Sequence, residues 1–261
     1  MDKKRRVINP PLSGWLGGKS RLARAVIERI PPHVCYVEPF AGAAWVLFKK
    51  EPSRAEVLND ISRDIANLYR AVRHHPDELA RQFAFSLASR EEFERLKATP
   101  PDVLTDIQRA ARFLYLQKRA FGGKVEGASF GTAASGPPAG TAEALMGIIA
   151  AGAKRLDRVI IENLPYADCI RRYDRPRTFF YLDPPYFGCE NDYGKGLFGR
   201  SDFAALAGLL AGIKGKFLMS LNDRPEVRET FAAFRLEEVK TTYTCGNNNK
   251  TPAQELFISN Y

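Results

Sequence analysis

The apolar positions along the chain change their period several times, and those changes mark out its elements. Residues 34–38 and 55–58 are short apolar runs that read as buried strands. Helical spacing predicts amphipathic helices over 21–30, 45–50 and 63–73. From 76 to about 117 only helical periodicity is found, in three segments split by Ser89 and by Thr99-Pro100-Pro101. A helix over 142–156, a strand over 158–162 and a turn over 163–168 follow. Phe179-Phe180-Tyr181-Leu182 reads as a fully buried strand, because bulky and aromatic side chains pack well on a pleated surface. Helix 202–213, strand 217–221, helix 224–231, strand 236–243, a turn at 245–249 and strand 255–259 complete the pattern. Strands alternating with helices predict an α/β fold with a mostly parallel sheet and an antiparallel pair at one edge. The helical stretch fits an insertion, which divides the chain into an α/β domain of residues 1–75 and 141–261 and a helical and hairpin insert of residues 76–140. The segment 187–200 is long for a loop in a compact domain, as functional lids and disordered segments are.

The points where the predicted strands stop carry the candidate chemistry. Pro184 and Pro185 cannot donate to a sheet ladder, so the strand ends before them and presents Asp183 and Tyr186 at its C-terminal edge. Open α/β sheets place their ligands at that edge. The Asp183 carboxylate and the Pro184 carbonyl form a rigid pair of acceptors suited to an exocyclic amine, and Tyr186 offers a face for a flat ring. Together they describe a pocket for a flipped-out base; a proline-rich turn with an N-capping Asp is the plainer reading. The strand at 34–38 ends in Glu38 and runs into Pro39-Phe40-Ala41-Gly42, a small-residue turn against which a ligand can lie. Asn59-Asp60 ends the next strand, where an acid can accept from ribose hydroxyls or cap the following helix. Gly14-Trp15-Leu16-Gly17-Gly18-Lys19-Ser20 is not a phosphate-binding P-loop: Ser13 stands where the first glycine is required, and no strand precedes it.

Charge and composition narrow the partner. The chain has 261 residues, a formal net charge of +9 and four cysteines. The excess of positive charge points to an anionic partner, most simply nucleic acid. Lys118, Arg119, Phe121, Lys124 and Phe130 interleave cations with aromatics among glycines, as in a hairpin that reads nucleic acid or in an ordinary surface hairpin. The cysteines are widely spaced and the histidines few, so no metal site is expected and the thiols are expected to be reduced. No apolar run is long enough to span a bilayer. The basic start, Met1 to Arg6, lacks the apolar segment of a signal peptide.

Taken in order, these motifs resemble those of the DNA adenine-N6 methyltransferases of the Dam type, the D12 class with a catalytic Asp-Pro-Pro-Tyr. The resemblance covers nearly the whole chain. Trp15-x-Gly17-Gly18-Lys19 is similar to the N-terminal cofactor motif and Val37-Glu38-Pro39-Phe40-Ala41-Gly42 to the first-strand motif. Asp60 resembles the ribose-binding acid, Asp168 the residue near the cofactor's adenine, and Asp183-Pro184-Pro185-Tyr186 the catalytic corner. Ser220-Leu221-Asn222-Asp223 and Gln254-Glu255-Leu256 also have counterparts in the family. The resemblance implies a Rossmann-like domain dependent on S-adenosyl-L-methionine, with a target-recognition subdomain inserted at 76–140. It implies a double-stranded DNA partner, direct transfer of a methyl to a flipped-out adenine, no metal, and a location in the bacterial cytoplasm beside the nucleoid, with a phage or prophage origin compatible.

The sequence departs from the family in the recognition hairpin. A tyrosine, an asparagine and a longer basic stretch are usual there; this chain has Phe121, Gly122 and a shortened 123–132, and Gly14 stands where a lysine is usual. Base contacts specify and phosphate contacts position, so a target other than GATC, or relaxed specificity, is expected. Methylation of cytosine N4, of an RNA adenine or of a protein amide, and a silent DNA-binding protein on the same scaffold, are the competing readings. A solitary methylase and a restriction partner are both compatible with the sequence, as are a monomer and a homodimer.

Overall fold

A computed structural model of the chain describes residues 8–15, 18–123, 127–132, 140–190, 196–245 and 249–261. In chain order its elements are α1 (Ala23–Ile27), β1 (Cys35–Glu38), α2 (Trp45–Lys49), β2 (Ala55–Asn59), α3 (Arg63–His74), α4 (Pro76–Arg81), α5 (Arg90–Ala98) and α6 (Asp106–Arg119). They continue with α7 (Ala142–Arg155), β3 (Val159–Glu162), α8 (Tyr166–Tyr173), β4 (Thr178–Leu182), α9 (Arg200–Ala211), β5 (Lys216–Asn222), α10 (Pro225–Thr230), β6 (Arg235–Cys245) and β7 (Asn249–Ser259). The chain forms two compact units, one of Met1–Ala23, Gly42–Glu51 and Ser62–Val159, the other of Arg24–Ala41, Pro52–Ile61 and Ile160–Tyr261.

The second unit contains the sheet. Its seven strands run in the order β3-β2-β1-β4-β5-β7-β6. β1 pairs parallel with β2 and β4, and β4 with β5. β7 is antiparallel to both β5 and β6, so the expected antiparallel pair closes one edge. Alternation along each strand sends side chains to opposite faces. On one face Val37, Phe180, Leu182, Phe217, Met219 and Leu221 pack in one core with Cys169 and Ile170 of α8, Phe203, Leu206 and Leu210 of α9, and Val227 of α10. Each large apolar side chain removed from water there is worth about 1.5–3 kcal/mol. The alternate positions of β1, β4, β5 and β7 carry Tyr36, Glu38, Tyr181, Asp183, Ser220, Asn222 and Glu255. That row is unusually polar for buried sheet, and it holds the expected catalytic acid.

Two elements differ from the sequence expectation. The turn expected over 163–168 becomes the start of α8, with Pro165 at its N-cap and a core stripe of only Cys169 and Ile170, too short to show as periodicity. The last strand begins at Asn249 rather than at 255. Pro252 argues against a strand there, since it lacks the amide hydrogen. β7, however, pairs with β5 only from Glu255 to Ser259, so Pro252 lies on an overhang that has β6 alone as neighbour, paired to Thr242.

The first unit is helical. α3 buries Ile65, Leu68, Tyr69 and Val72 along one stripe. α6 opens with a capping box, in which Thr105 Oγ1 accepts from the Gln108 amide and Gln108 Oε1 accepts from the Thr105 amide. Arg109 of α6 lies 2.5 Å from the Asp64 carboxylate of α3. Ser89 caps α5 by accepting from the Glu92 amide.

Candidate active site

β4 is buried along its whole length, and Asp183 follows its last residue. Tyr181 and Asp183 fall on one face of the strand, and β5 brings Ser220 up beside them. Ser220 Oγ donates to Asp183 Oδ1 at 3.1 Å and lies 2.9 Å from the Tyr181 hydroxyl. Asn222 clamps the chain beyond the prolines, accepting from the Phe187 amide at 3.0 Å and donating to the Phe187 carbonyl at 2.9 Å. Tyr186 donates its phenol to Glu255 of β7, a side chain with no exposed surface. Burial, first, and then the negative charges of Glu255 and Asp183 push the Tyr186 phenol well above the ordinary tyrosine range. Burial and the Asp183 charge do the same to Tyr181. Both phenols therefore keep their protons at any physiological pH.

The tips of β1 and β2 form a second cluster in the same unit. Glu38 is buried and accepts from Tyr36 Oη at 2.7 Å. Beyond it, Pro39 and Ala41 are drawn to the end of β2: Asn59 Nδ2 donates to the Pro39 carbonyl at 2.9 Å, and the Ala41 amide donates to the Asn59 carbonyl at 2.9 Å. Asn59 also donates to the Leu164 carbonyl and accepts from the Leu164 amide, at 3.0 and 2.9 Å. This one side chain therefore fixes the turn after β1 and the segment after β3. Asp60, next to it, is half-buried. Phe40 stacks on Tyr166 with ring centroids 5.3 Å apart, and Phe198 meets Phe40 edge-on at 5.9 Å. Tyr166 Oη donates to Asp202 at 3.1 Å. Asp168, in the first turn of α8, is exposed and faces Arg171 at 3.3 Å.

The remaining expected cofactor residues lie in the first unit, except Gly17, which is outside the described residues. Trp15 packs on Phe113 of α6 with centroids 5.9 Å apart. A side chain at position 18 would place its Cβ 2.9 Å from the Trp15 carbonyl oxygen and 2.9 Å from Trp45 Nε1, so only glycine fits. Gly42 has φ +46°, and its Cβ position lies 3.5 Å from Trp15 Nε1. Its carbonyl accepts from Tyr69 Oη at 2.8 Å. Lys19 is buried, and its carbonyl accepts from the Ala23 amide at 2.7 Å.

The residues expected to meet nucleic acid separate into two roles. Ala120 and Phe130 form an antiparallel bridge, flanked by hydrogen bonds from the Phe121 amide to Ser129 and from the Gly131 amide to Arg119. Phe121 stands 57% exposed at this hairpin. Phe130 is half-buried, edge-on to Phe93 at 5.7 Å, with the Arg90 guanidinium 5.3 Å from its ring centroid. Lys118 Nζ donates to the Ser13 carbonyl and hydroxyl at 2.6 and 2.8 Å, and burial pushes its ammonium down to about 8. Arg119 is buried, donating to the Gly140 carbonyl and lying over the Tyr115 ring. Both cations are used inside the unit. Lys124 is outside the described residues.

Sequence reasoning missed Tyr166 and Phe198, which lie in segments read as a turn and a loop. It assigned no role to Ser220 or Glu255, although both sit in motifs it picked out. A polar residue at an inward-facing strand position was the available signal. Among the described residues, no group of three or more His, Cys, Asp or Glu side chains could hold a metal, and no helix is long and apolar enough to cross a membrane.

Comparison with known proteins places these features in a wider set. A family model described as D12 class N6 adenine-specific DNA methyltransferase matches residues 15–245. A type II methyltransferase, M.CviBI, of Paramecium bursaria Chlorella virus NC1A is 27% identical over 240 residues, 89% of this chain and 90% of the relative. The DNA adenine methylase of Escherichia coli (strain K12) is 27% identical over 263 residues, 91% of this chain and 89% of its own length. Another type II methyltransferase, M1.LlaDCHI of Lactococcus lactis subsp. cremoris, is 22% identical over 295 residues and covers 99% of this chain and 98% of its own length.

Proposed function

The chain belongs to the D12 class N6 adenine-specific DNA methyltransferases, and from that premise we propose that Asp183, Pro184, Pro185 and Tyr186 are the corner at which it methylates adenine in double-stranded DNA. The observation that carries this is the position of Asp183, at the C-terminal end of a fully buried strand with its carboxylate oriented by Ser220. A flipped-out adenine would donate its amine hydrogens to Asp183 and the Pro184 carbonyl and stack on Tyr186. With those hydrogens held, the amine lone pair is directed outward, and positioning supplies most of the rate. The Tyr186 phenol, held on Glu255, fixes the plane of the ring on which the base would rest.

S-adenosyl-L-methionine is the methyl donor in this reading, supplying a methyl on a positively charged sulfur that is already a leaving group. The residues present suit it. In the second unit the stacked Phe40–Tyr166 pair offers an aromatic wall, and Asp60 and Asp168 offer acceptors for ribose hydroxyls and an amine. Glu38, Pro39, Phe40 and Ala41 form the turn beside them. In the first unit Gly18 and Gly42 keep the backbone bare next to Trp15.

Residues 76–140 are the target-recognition region in this reading. Phe121 and Lys124 would face the DNA, while Lys118, Arg119 and Phe130 hold the hairpin in place. An apolar residue at the exposed position in place of a polar reader supports a target other than GATC, or a relaxed one. The reaction would take place in the cytoplasm of a bacterial cell, with the chain encoded by the bacterium or by a phage or prophage.

The test is to express the chain in a methylation-deficient bacterium and sequence the DNA by a single-molecule method that detects methyladenine. N6-methyladenine with the natural chain and none with Asp183→Ala is the expected result. Full methylation by Asp183→Ala would overturn the assignment of the corner. N4-methylcytosine in the nucleoside digest would overturn the base.

A further inference from the structure

We infer that Ser220 and Tyr181 are positioning residues for the reaction, a relay that fixes the Asp183 carboxylate ionised and in one orientation. The inference rests on the reading of Asp183 as the group that receives the amine.

A serine hydroxyl has one hydrogen to give. Ser220 gives it to Asp183 Oδ1, 3.1 Å away. The contact between Ser220 and Tyr181, 2.9 Å, must then have the phenol as donor. The chain of donation runs one way, from Tyr181 to Ser220 to Asp183. Ser220 has no exposed surface and Tyr181 is 3% exposed, so water does not compete for either hydroxyl. The three side chains are brought together by strand register alone. β4 and β5 pair Leu182 with Met219, which sets Asp183 beside Ser220, and Tyr181 lies two residues before Asp183 on the same face. Tyr181 and Ser220 are strand residues and Asp183 directly follows the last residue of β4, so the backbone holds all three close to the sheet.

Its direction has a chemical consequence. Two hydroxyls donating in series toward a carboxylate favour its ionised form and lower its affinity for a proton. An ionised acid is an acceptor for the amine hydrogens. A neutral Asp183 would offer the amine a donor in place of an acceptor. The other carboxylates near Tyr181 on these strands are Glu38, beneath Tyr36, and Glu255, beneath Tyr186.

The test compares steady-state methylation by the natural chain, Ser220→Ala, Ser220→Thr and Tyr181→Phe between pH 5 and 9, with thermal unfolding of each variant. Ser220→Ala should lower kcat about tenfold, the effect of losing a hydrogen bond to a charged group, with KM for DNA and for the methyl donor within about twofold. The acid limb of its kcat profile should move up by about one pH unit. Ser220→Thr, which keeps a hydroxyl, should restore both. Tyr181→Phe should act in the same direction but less, and should add little in the Ser220→Ala background. An unshifted acid limb in a folded Ser220→Ala chain would overturn the inference, as would equal loss in the Thr variant. Should Ser220→Ala not fold, an unshifted limb in Tyr181→Phe overturns the relay just as well. Failure of the Asp183 assignment itself is seen separately, as activity retained by Asp183→Ala.

Discussion

Around Asp183, three strands contribute side chains that hold one another: Tyr181 from β4, Ser220 and Asn222 from β5, Glu255 from β7. Around Phe121, among the described residues, the Ala120–Phe130 bridge and its two flanking backbone hydrogen bonds define a hairpin on which the Phe121 side chain is exposed. On the proposed function, the difference follows from what each region would do. A methyl transfer that depends on position rewards a site in which every polar group is fixed before the substrate arrives. A hairpin that meets a duplex gains from a few contacts that form only on binding, and its sequence can change without disturbing the chemistry. The corner carries Asp-Pro-Pro-Tyr, on which the family resemblance rests, while the hairpin carries Phe121 and Gly122, where the resemblance implies a tyrosine and an asparagine.

The contrast can be broken or sharpened by substitution, beginning with the largest effect. Tyr186→Ala removes the stacking face, worth roughly 1–3 kcal/mol, and takes the phenol from a buried carboxylate. We expect kcat/KM to fall about a hundredfold, about 2.7 kcal/mol, with a lower unfolding temperature; Tyr186→Phe should recover the activity more than the stability. Asn59→Ala removes the side-chain hydrogen bonds to the Pro39 carbonyl and to the carbonyl and amide of Leu164. Denaturant unfolding should show a loss of about 2–3 kcal/mol, and affinity for the methyl donor should fall with it, since the turn after β1 is released.

Phe121→Ala should weaken DNA binding by roughly 1–3 kcal/mol and leave kcat at saturating DNA nearly unchanged. A loss of kcat as deep as that of Tyr186→Ala would erase the distinction between the two regions. The smallest effect concerns pH. Burial holds Lys118 near 8, below the ordinary lysine value, so between about pH 8 and the ordinary value of about 10.4 the unfolded chain binds more protons than the folded one. The penalty for burying this ammonium is fully present below pH 8 and is relieved as pH rises through that window. Measured from pH 7 to 9.5, the stability of the natural chain relative to Lys118→Met should shift in favour of the natural chain, by no more than about 1.4 kcal/mol per pH unit.

Much of the second unit was legible in the sequence, because its strands are short apolar runs that end in acids, prolines or small residues. The whole corner from Asp183 to Tyr186 follows from a run that can only be buried and two prolines that can only end it. α8 was not legible: two core residues do not make a period, and Pro165 reads equally as a turn or a helix start. The overhang of β7 was hidden by Pro252, whose tolerance depends on which neighbour strand reaches that far. Lys118 and Arg119 read as surface cations beside aromatics. That Lys118 is half-buried on Ser13 and Arg119 buried on Gly140 depends on segments outside their own helix, which no local pattern reports.

β7 follows every other strand of the sheet in sequence and yet lies inside it, between β5 and β6. It brings Glu255 to Tyr186, and beyond it Tyr261 donates to the Arg29 carbonyl at 2.7 Å, next to the start of the unit. A nascent chain that has already released Asp183 and Tyr186 from the ribosome therefore still lacks the strand that locks the ring in place. Premature termination before Asn249 leaves a protein with its whole signature motif and an unfinished site. The hydrogen bond that holds the Tyr186 ring is therefore the contribution of the last strand to be synthesised.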